Sequence, residues 1–207
     1  MTTISNKTSN GTQTGAQPNY HPKSYELQTY GAMHAVPLGM PEETLKQNIG
    51  MLNQLLADSI TMYNLYKKHH WQVTGPTFYQ LHLLLDKHAN EVLETVDAIA
   101  ERIQTLGGVT TGMPWEVAEM TEIEHPPTGE EDIPAMLART VNAHATTIKT
   151  IRAGIEQTDD NKDYATNDLL SSVVLPMHEL QVWFVSQHLV NTPIVDGSNP
   201  LASAKAQ

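Results

Sequence analysis

A chain of 207 residues in which 12 Lys and Arg face 23 Asp and Glu has a formal net charge of −11, and it contains no cysteine. That balance argues against a surface built to hold a polyanion and for attraction of cations, and the missing thiol excludes disulfides, zinc–thiolate sites and a peroxide-reactive cysteine. The length suits one ordinary core with tails; no apolar run of signal-peptide type opens the sequence and no stretch approaches the roughly 18 apolar residues of a membrane span, so the expected compartment is the cytoplasm.

From Met1 to about Met40 the sequence is rich in Thr, Asn, Gln, Ser and Gly without apolar periodicity, the composition of a mobile arm. Pro41-Glu42-Glu43 reads as a helix start, and Leu45, Ile49, Leu52, Leu55, Leu56 and Ile60 continue at helical spacing to about Trp71. Gly75-Pro76-Thr77 can break that helix and start a second, which runs from about Thr77 to Gln104 and stops at Gly107-Gly108. Pro114, Pro126 and Pro127 make the stretch to Glu131 a long connection, with room for one short helix around Trp115–Met120, as expected where the chain crosses a bundle between its second and third helices. A third helix is expected over about Ile133–Glu156 and a fourth over about Asp163–Val190, bent at Pro176. The pattern is all-α: a four-helix bundle over 41–192 between tails 1–40 and 193–207.

The chemistry concentrates between His70 and Glu101. His82/Asp86 and Asp97/Glu101 are each four residues apart, so each pair shares a helix face. The eleven residues from Asp86 to Asp97 make three turns plus roughly 20°, which puts both pairs on the same face, about 16 Å apart along the axis. Metal bonds to imidazole nitrogen or carboxylate oxygen are about 2.0–2.2 Å long, so one ion cannot reach both pairs. A second copy of the helix, antiparallel about a two-fold axis near Glu91 and Val92, would set His82/Asp86 of one chain against Asp97/Glu101 of the other and make two identical sites. His70 is a further candidate, because antiparallel helices joined at Gly75-Pro76 bring it beside His82. Two imidazoles and three carboxylates suit Fe(II), Zn(II) or Mn(II).

The run His70-Trp71-Gln72-Val73-Thr74-Gly75, followed by Phe78, His82, Asp86, Asp97 and Ala100-Glu101-Arg102, resembles the mini-ferritins called DNA-binding proteins from starved cells, or Dps. With the helical pattern around it, the resemblance extends from about Glu42 to about Val190. It implies a ferritin-like four-helix subunit, assembled as a hollow dodecamer, that oxidises Fe(II), preferably with hydrogen peroxide and otherwise with O2, and stores the ferric product. It also implies a site of two iron ions between two-fold-related subunits: His70, His82 and Asp86 from one, Asp97 and Glu101 from its neighbour.

Other residues take their readings from this frame. Arg102 could orient the Glu101 carboxylate from behind. Trp71 reads first as core packing, and second as a wall of the site or a sink for a stray oxidising equivalent. His188, one turn beyond Trp183-Phe184, could add an imidazole and favour zinc as competitor or resident metal. In the family, acids near the turn between the third and fourth helices line three-fold pores, which points to Asp159, Asp160, Asp163 and Asp168, with Lys162 diluting such a ring. Glu91 and Glu94 are candidates for a cavity-facing mineral surface. Glu122-Ile123-Glu124-His125 fits a di-iron pattern of larger ferritin-like proteins but falls once, in the crossover, and reads as solvated surface. His34, His69, His88, His144 and His178 have no partner at ligand spacing. The tails offer only Lys7, Lys23 and Lys205, too few cations for the phosphate contacts of a DNA-binding arm, so a nucleoid-associated protective role is the alternative reading.

Overall fold

The computed structural model describes residues 25–191, so the tail expected over 193–207 and the first part of the N-terminal arm lie outside the described residues. Helix α1 spans Glu42–Gln72 and α2 Phe78–Thr105. The short α3 covers Pro114–Met120, α4 runs Ile133–Asp160, and α5 is continuous over Tyr164–Gln187. Acids open the first turn of α1, Asp132 caps α4 by accepting from the Ala135 N–H at 2.8 Å, and Asp163 caps α5 by accepting from that of Thr166 at 3.1 Å.

The turn at Gly75-Pro76 reverses the chain, so α1 and α2 lie antiparallel, with His70 beside His82 at one end and Ile49 beside Gly108 at the other. The crossover then climbs back along α1. Polar side chains of α1 hold its backbone: Asn53 donates to the Val109 carbonyl at 3.0 Å and accepts from the Thr111 N–H at 2.8 Å. One turn on, the buried Asp58 accepts from the Thr121 hydroxyl and the Glu122 N–H, both at 2.8 Å. Having regained the His70 end, the chain descends as α4 and returns as α5. This is the bundle with one long crossover that the proline-rich connection requires.

Apolar stripes from the four long helices meet in two clusters, one around Met62, Leu81, Leu85, Val92 and Leu137, the other around Leu52, Leu56, Ile99, Ile103, Ile151 and Leu170. α5 passes through a π-helical stretch, Leu169–Val174, just before Pro176. Proline has no N–H and its ring crowds the carbonyl one turn back; widening that turn to i→i+5 bonding, as between Leu175 N–H and the Leu170 carbonyl, relieves both. By length and composition α5 does approach a membrane span, contrary to the reading of the sequence, because it is poor in charge; its stripe Leu170, Val174, His178, Gln181 and Val185 is buried in the bundle.

The N-terminal arm does not extend to Met40. The Gln28 amide donates to the Gly107 carbonyl at 2.9 Å, the His34 backbone N–H does so at 3.1 Å, and Met33, Val36 and Met40 pack on the second cluster. Gly107, at φ 88°, makes this seat: a Cβ there would stand 2.5 Å from the His34 carbonyl oxygen.

Candidate metal centre

At the Gly75 end of the bundle α1 and α2 place His70 and His82 face to face, ring centroids 3.8 Å apart and planes 23° from parallel. Each ring is held by the other residue's backbone. The His70 Nδ1–H donates to the His82 carbonyl at 2.7 Å, and the His82 Nδ1–H to the His70 carbonyl at 2.9 Å. A carbonyl can only accept, so both protons sit on Nδ1 and both Nε2 lone pairs are free, the tautomer that a metal-binding imidazole needs. Asp86 lies one turn along α2, its Oδ1 3.9 Å from His70 Nε2, near the limit that two metal bonds of about 2.0–2.2 Å can span. Lys67 holds this carboxylate at 2.6 Å, and that hydrogen bond keeps the Asp86 carboxyl below its usual range. The ammonium satisfies the same oxygen that a metal ion would take.

Asp97 and Glu101 are exposed at the other end of the same face of α2. Glu101 is engaged through its backbone carbonyl, which accepts from the Thr105 hydroxyl at 2.8 Å, and its carboxylate is turned outward. Among the described residues no group of three or more His, Asp or Glu side chains is close enough to hold a metal ion. The five candidate residues therefore fall into two groups, one at each end of α2. At the level midway between them Val92 is fully buried in the subunit core, so it cannot lie on a two-fold contact; the exposed residues there are Asn90 and Leu93, the latter 46% exposed. A two-fold contact at this level would therefore have to lie around Asn90 and Leu93 rather than at the Glu91–Val92 position expected from spacing.

Several residues sit differently from expectation. Trp71 is not core packing: it is 71% exposed, with the Lys67 ammonium 5.8 Å from its ring centroid. Arg102 does not reach the Glu101 carboxylate; it turns to Asp163 at 2.6 Å and to the Thr166 hydroxyl at 2.8 Å. Asp163 is no pore acid, being 1% exposed and committed to Arg102, Thr166 and Asn48. Its carboxyl is held below the usual range by the Thr166 and Arg102 contacts, against the opposing effect of burial. Asp159, Asp160 and Asp168 are exposed at that turn. Lys162, at φ 65°, folds its ammonium onto the Asp159 carbonyl at 2.8 Å, a cation on the C-terminus of α4. Glu91 and Glu94 line one shallow groove with Val173, Met177 and Leu180. Glu122 and His125 are exposed in the crossover. His188 ends α5, exposed, at the same end of the bundle as His70.

The reading of the sequence missed a buried polar layer. His69, His88, His144 and His178 lack sequence partners but are all buried, and Tyr66, His144 and His178 form one hydrogen-bonded chain. Its signal was present: each lies at i+3 or i+4 from apolar residues of a core stripe, as His88 does from Leu85 and Val92.

The ferritin-like domain profile matches residues 49–195. The DNA protection during starvation protein of Halobacterium salinarum is 30% identical over 142 residues, covering 69% of this chain and 78% of that protein. Among solved structures, DpsC from Streptomyces coelicolor is 46% identical, with a TM-score of 0.82 over 83% of this chain and 100% of that one. An archaeal Dps homologue from Halobacterium salinarum has a TM-score of 0.80 at 28% identity, over 84% and 97% of the two chains. With the profile spanning most of the bundle and relatives of 30% and 46% identity matched over 78% and 100% of their own length, the chain belongs to the Dps family of mini-ferritins within the ferritin-like superfamily.

Proposed function

We propose that this chain is a ferroxidase subunit of a hollow dodecamer, which oxidises Fe(II) with hydrogen peroxide, or more slowly with O2, and stores the ferric product inside. The observation that carries this reading is the split donor set: two imidazoles with free Nε2 atoms and Asp86 at one end of α2, and Asp97 and Glu101 outward at the other end of the same face. Two antiparallel copies of α2 complete each half with the other. Exposed Leu83 and Leu93 on that face would be covered in the same contact.

In such a site iron is the substrate. Near-parallel rings do not converge on one point, so His70 and His82 would each hold one ion, and Asp86, Asp97 and Glu101 would supply the carboxylates. Two Fe(II) give one electron each to peroxide, which takes two protons and leaves as two waters; no one-electron product is released. Lys67 must let go of Asp86 as iron enters, so the ammonium keeps the empty carboxylate oriented and sets a threshold for occupancy. Zn(II), which suits the same donors and has no redox chemistry, would compete or reside there. Asp159, Asp160 and Asp168 remain candidates for a cation entry. The net charge of −11 supports cation capture in the cytoplasm over DNA protection as the principal role.

Mixed assembly tests the shared site. A variant with His70→Ala and His82→Ala and another with Asp97→Asn and Glu101→Gln should each be inactive alone, and co-assembled cages should recover part of the activity, since some sites receive two intact halves. Full activity in either homogeneous variant would overturn the model.

A further inference from the structure

The four long helices each send one ring into a single buried layer: Tyr66 from α1, His88 from α2, His144 from α4 and His178 from α5, none more than 1% exposed. The Tyr66 hydroxyl lies 2.6 Å from His144 Nε2, and His144 Nδ1 lies 2.8 Å from His178 Nδ1. A buried phenol O–H needs an acceptor, and among the described residues its partner is His144. His144 Nε2 is then bare and its proton is on Nδ1, which makes His178 Nδ1 the next acceptor and leaves the His178 proton on Nε2, an atom with no partner among the described residues. One assignment fixes all three groups, and the result is a directional chain from phenol to imidazole to imidazole.

Burial holds every member neutral. It raises the Tyr66 phenol well above its ordinary value of 10.0, depresses His144 well below 6.5 and brings His178 down to about 4. Proton transfer alone would separate charge in a dry core. Removing an electron from the phenol changes this, because an oxidised phenol is a strong acid and gives its proton to any imidazole at hydrogen-bond distance. Along the bundle axis the layer lies at neighbouring height to the candidate iron residues. Tyr66 is one helical turn, about 6 Å along α1, from His70. His88, edge-on to Tyr66 with centroids 5.5 Å apart, follows Asp86 by two positions on α2.

We propose that Tyr66 is an electron donor to the iron site when only one Fe(II) occupies it, with His144 and His178 taking the proton. This rests on the ferroxidase reading. A single Fe(II) offers peroxide one of the two electrons it needs. Tyr66 supplies the second: iron goes to Fe(III), the peroxide O–O bond breaks, and two solvent protons complete two waters. The Tyr66 O–H bond breaks to leave a neutral phenoxyl radical, its proton passes to His144 Nε2, and the His144 Nδ1 proton moves to His178. A later Fe(II) reduces the radical and the protons return. Charge delivered to His178 lies on α5 one turn from Gln181, whose amide donates at 3.0 Å to the carboxylate of Glu91, an anion at the edge of the layer.

The experiment is freeze-quenched electron paramagnetic resonance on the assembled, full-length protein loaded with one Fe(II) per site and reacted with one equivalent of hydrogen peroxide. A neutral tyrosyl signal should appear, narrow when the protein is made with ring-deuterated tyrosine, be lost in Tyr66→Phe, be greatly reduced in His144→Gln, and persist in Trp71→Phe. Trapped hydroxyl adducts should rise in Tyr66→Phe. Two Fe(II) per site in the unaltered protein should suppress the signal. The deuterated unaltered protein keeps the test decisive if a variant fails to fold. Iron oxidation without a tyrosyl signal, or an equal signal in Tyr66→Phe, overturns this proposal alone; absence of iron oxidation in the unaltered protein overturns the ferroxidase reading and this proposal with it.

Discussion

Lowering the pH of the metal-free protein should unfold it well above the range where carboxylates titrate, and the buried histidines set the size of the effect. Burial lowers His69, His88 and His178 each from 6.5 to about 4. The unfolded chain takes up these protons near 6.5 and the folded chain only near 4, so between those values the unfolded state binds more. Stability is therefore complete above 6.5 and is lost as the pH falls toward 4. At about 1.4 kcal/mol per group per pH unit, three groups over about 2.5 units remove roughly 10 kcal/mol. That is comparable with the whole net stability of an ordinary domain, about 5–15 kcal/mol. His144, depressed further by burial and by His178 beside it, adds to the loss. Urea unfolding followed by far-ultraviolet circular dichroism, at fixed protein concentration between pH 7.5 and 4.5, reads the slope directly. About three to four protons should be taken up per chain on unfolding near pH 5.5, and His178→Leu should remove about one. A slope below one proton would refute the reasoning, because it would mean that the layer is already protonated or hydrated in the folded state.

Three further outcomes follow from particular contacts. Arg102→Leu leaves the buried Asp163 carboxylate without its cation and should cost roughly 3–5 kcal/mol in urea unfolding; an unchanged midpoint would remove this pair from the support of the α4–α5 turn. Lys67→Met frees Asp86 and should tighten Zn(II) binding to the metal-free protein by up to about tenfold in isothermal titration, whereas weaker binding would make Lys67 an orienting group rather than a competitor. Zn(II) should inhibit iron oxidation, and His188→Ala should relieve that inhibition if α5 of either subunit brings its last turn to the site; identical inhibition in the variant excludes His188 as a ligand.

How legible each part was depends on whether its cause is local. Helix ends at Pro41, Gly75-Pro76 and Gly107-Gly108 are written in backbone preferences a few residues wide, and the structure keeps them within a residue or two. The juxtaposition of His70 and His82 followed from one tight reversal between two helices, so twelve residues of sequence sufficed. Asp163 and Arg102 misled because each has a plausible local role, an exposed turn acid and a neighbour of Glu101. What decides them is a contact 61 residues apart between α2 and the start of α5. Trp71 misled in the opposite sense: an aromatic beside a ligand reads as core, but in the helix that buries His69 and aims His70 at α2, position 71 points away from the bundle. The segment 25–40 looked unstructured because its attachments, two hydrogen bonds to the Gly107 carbonyl and the scattered packing of Met33, Val36 and Met40, leave no apolar period in the sequence. Most opaque was the layer of Tyr66, His88, His144 and His178. A histidine on an apolar stripe is indistinguishable from any other isolated polar residue until the four helices are stacked in register. Its meaning then comes from the order of donors and acceptors across the bundle: a phenol proton that has one acceptor, and an imidazole that must pass its own proton on.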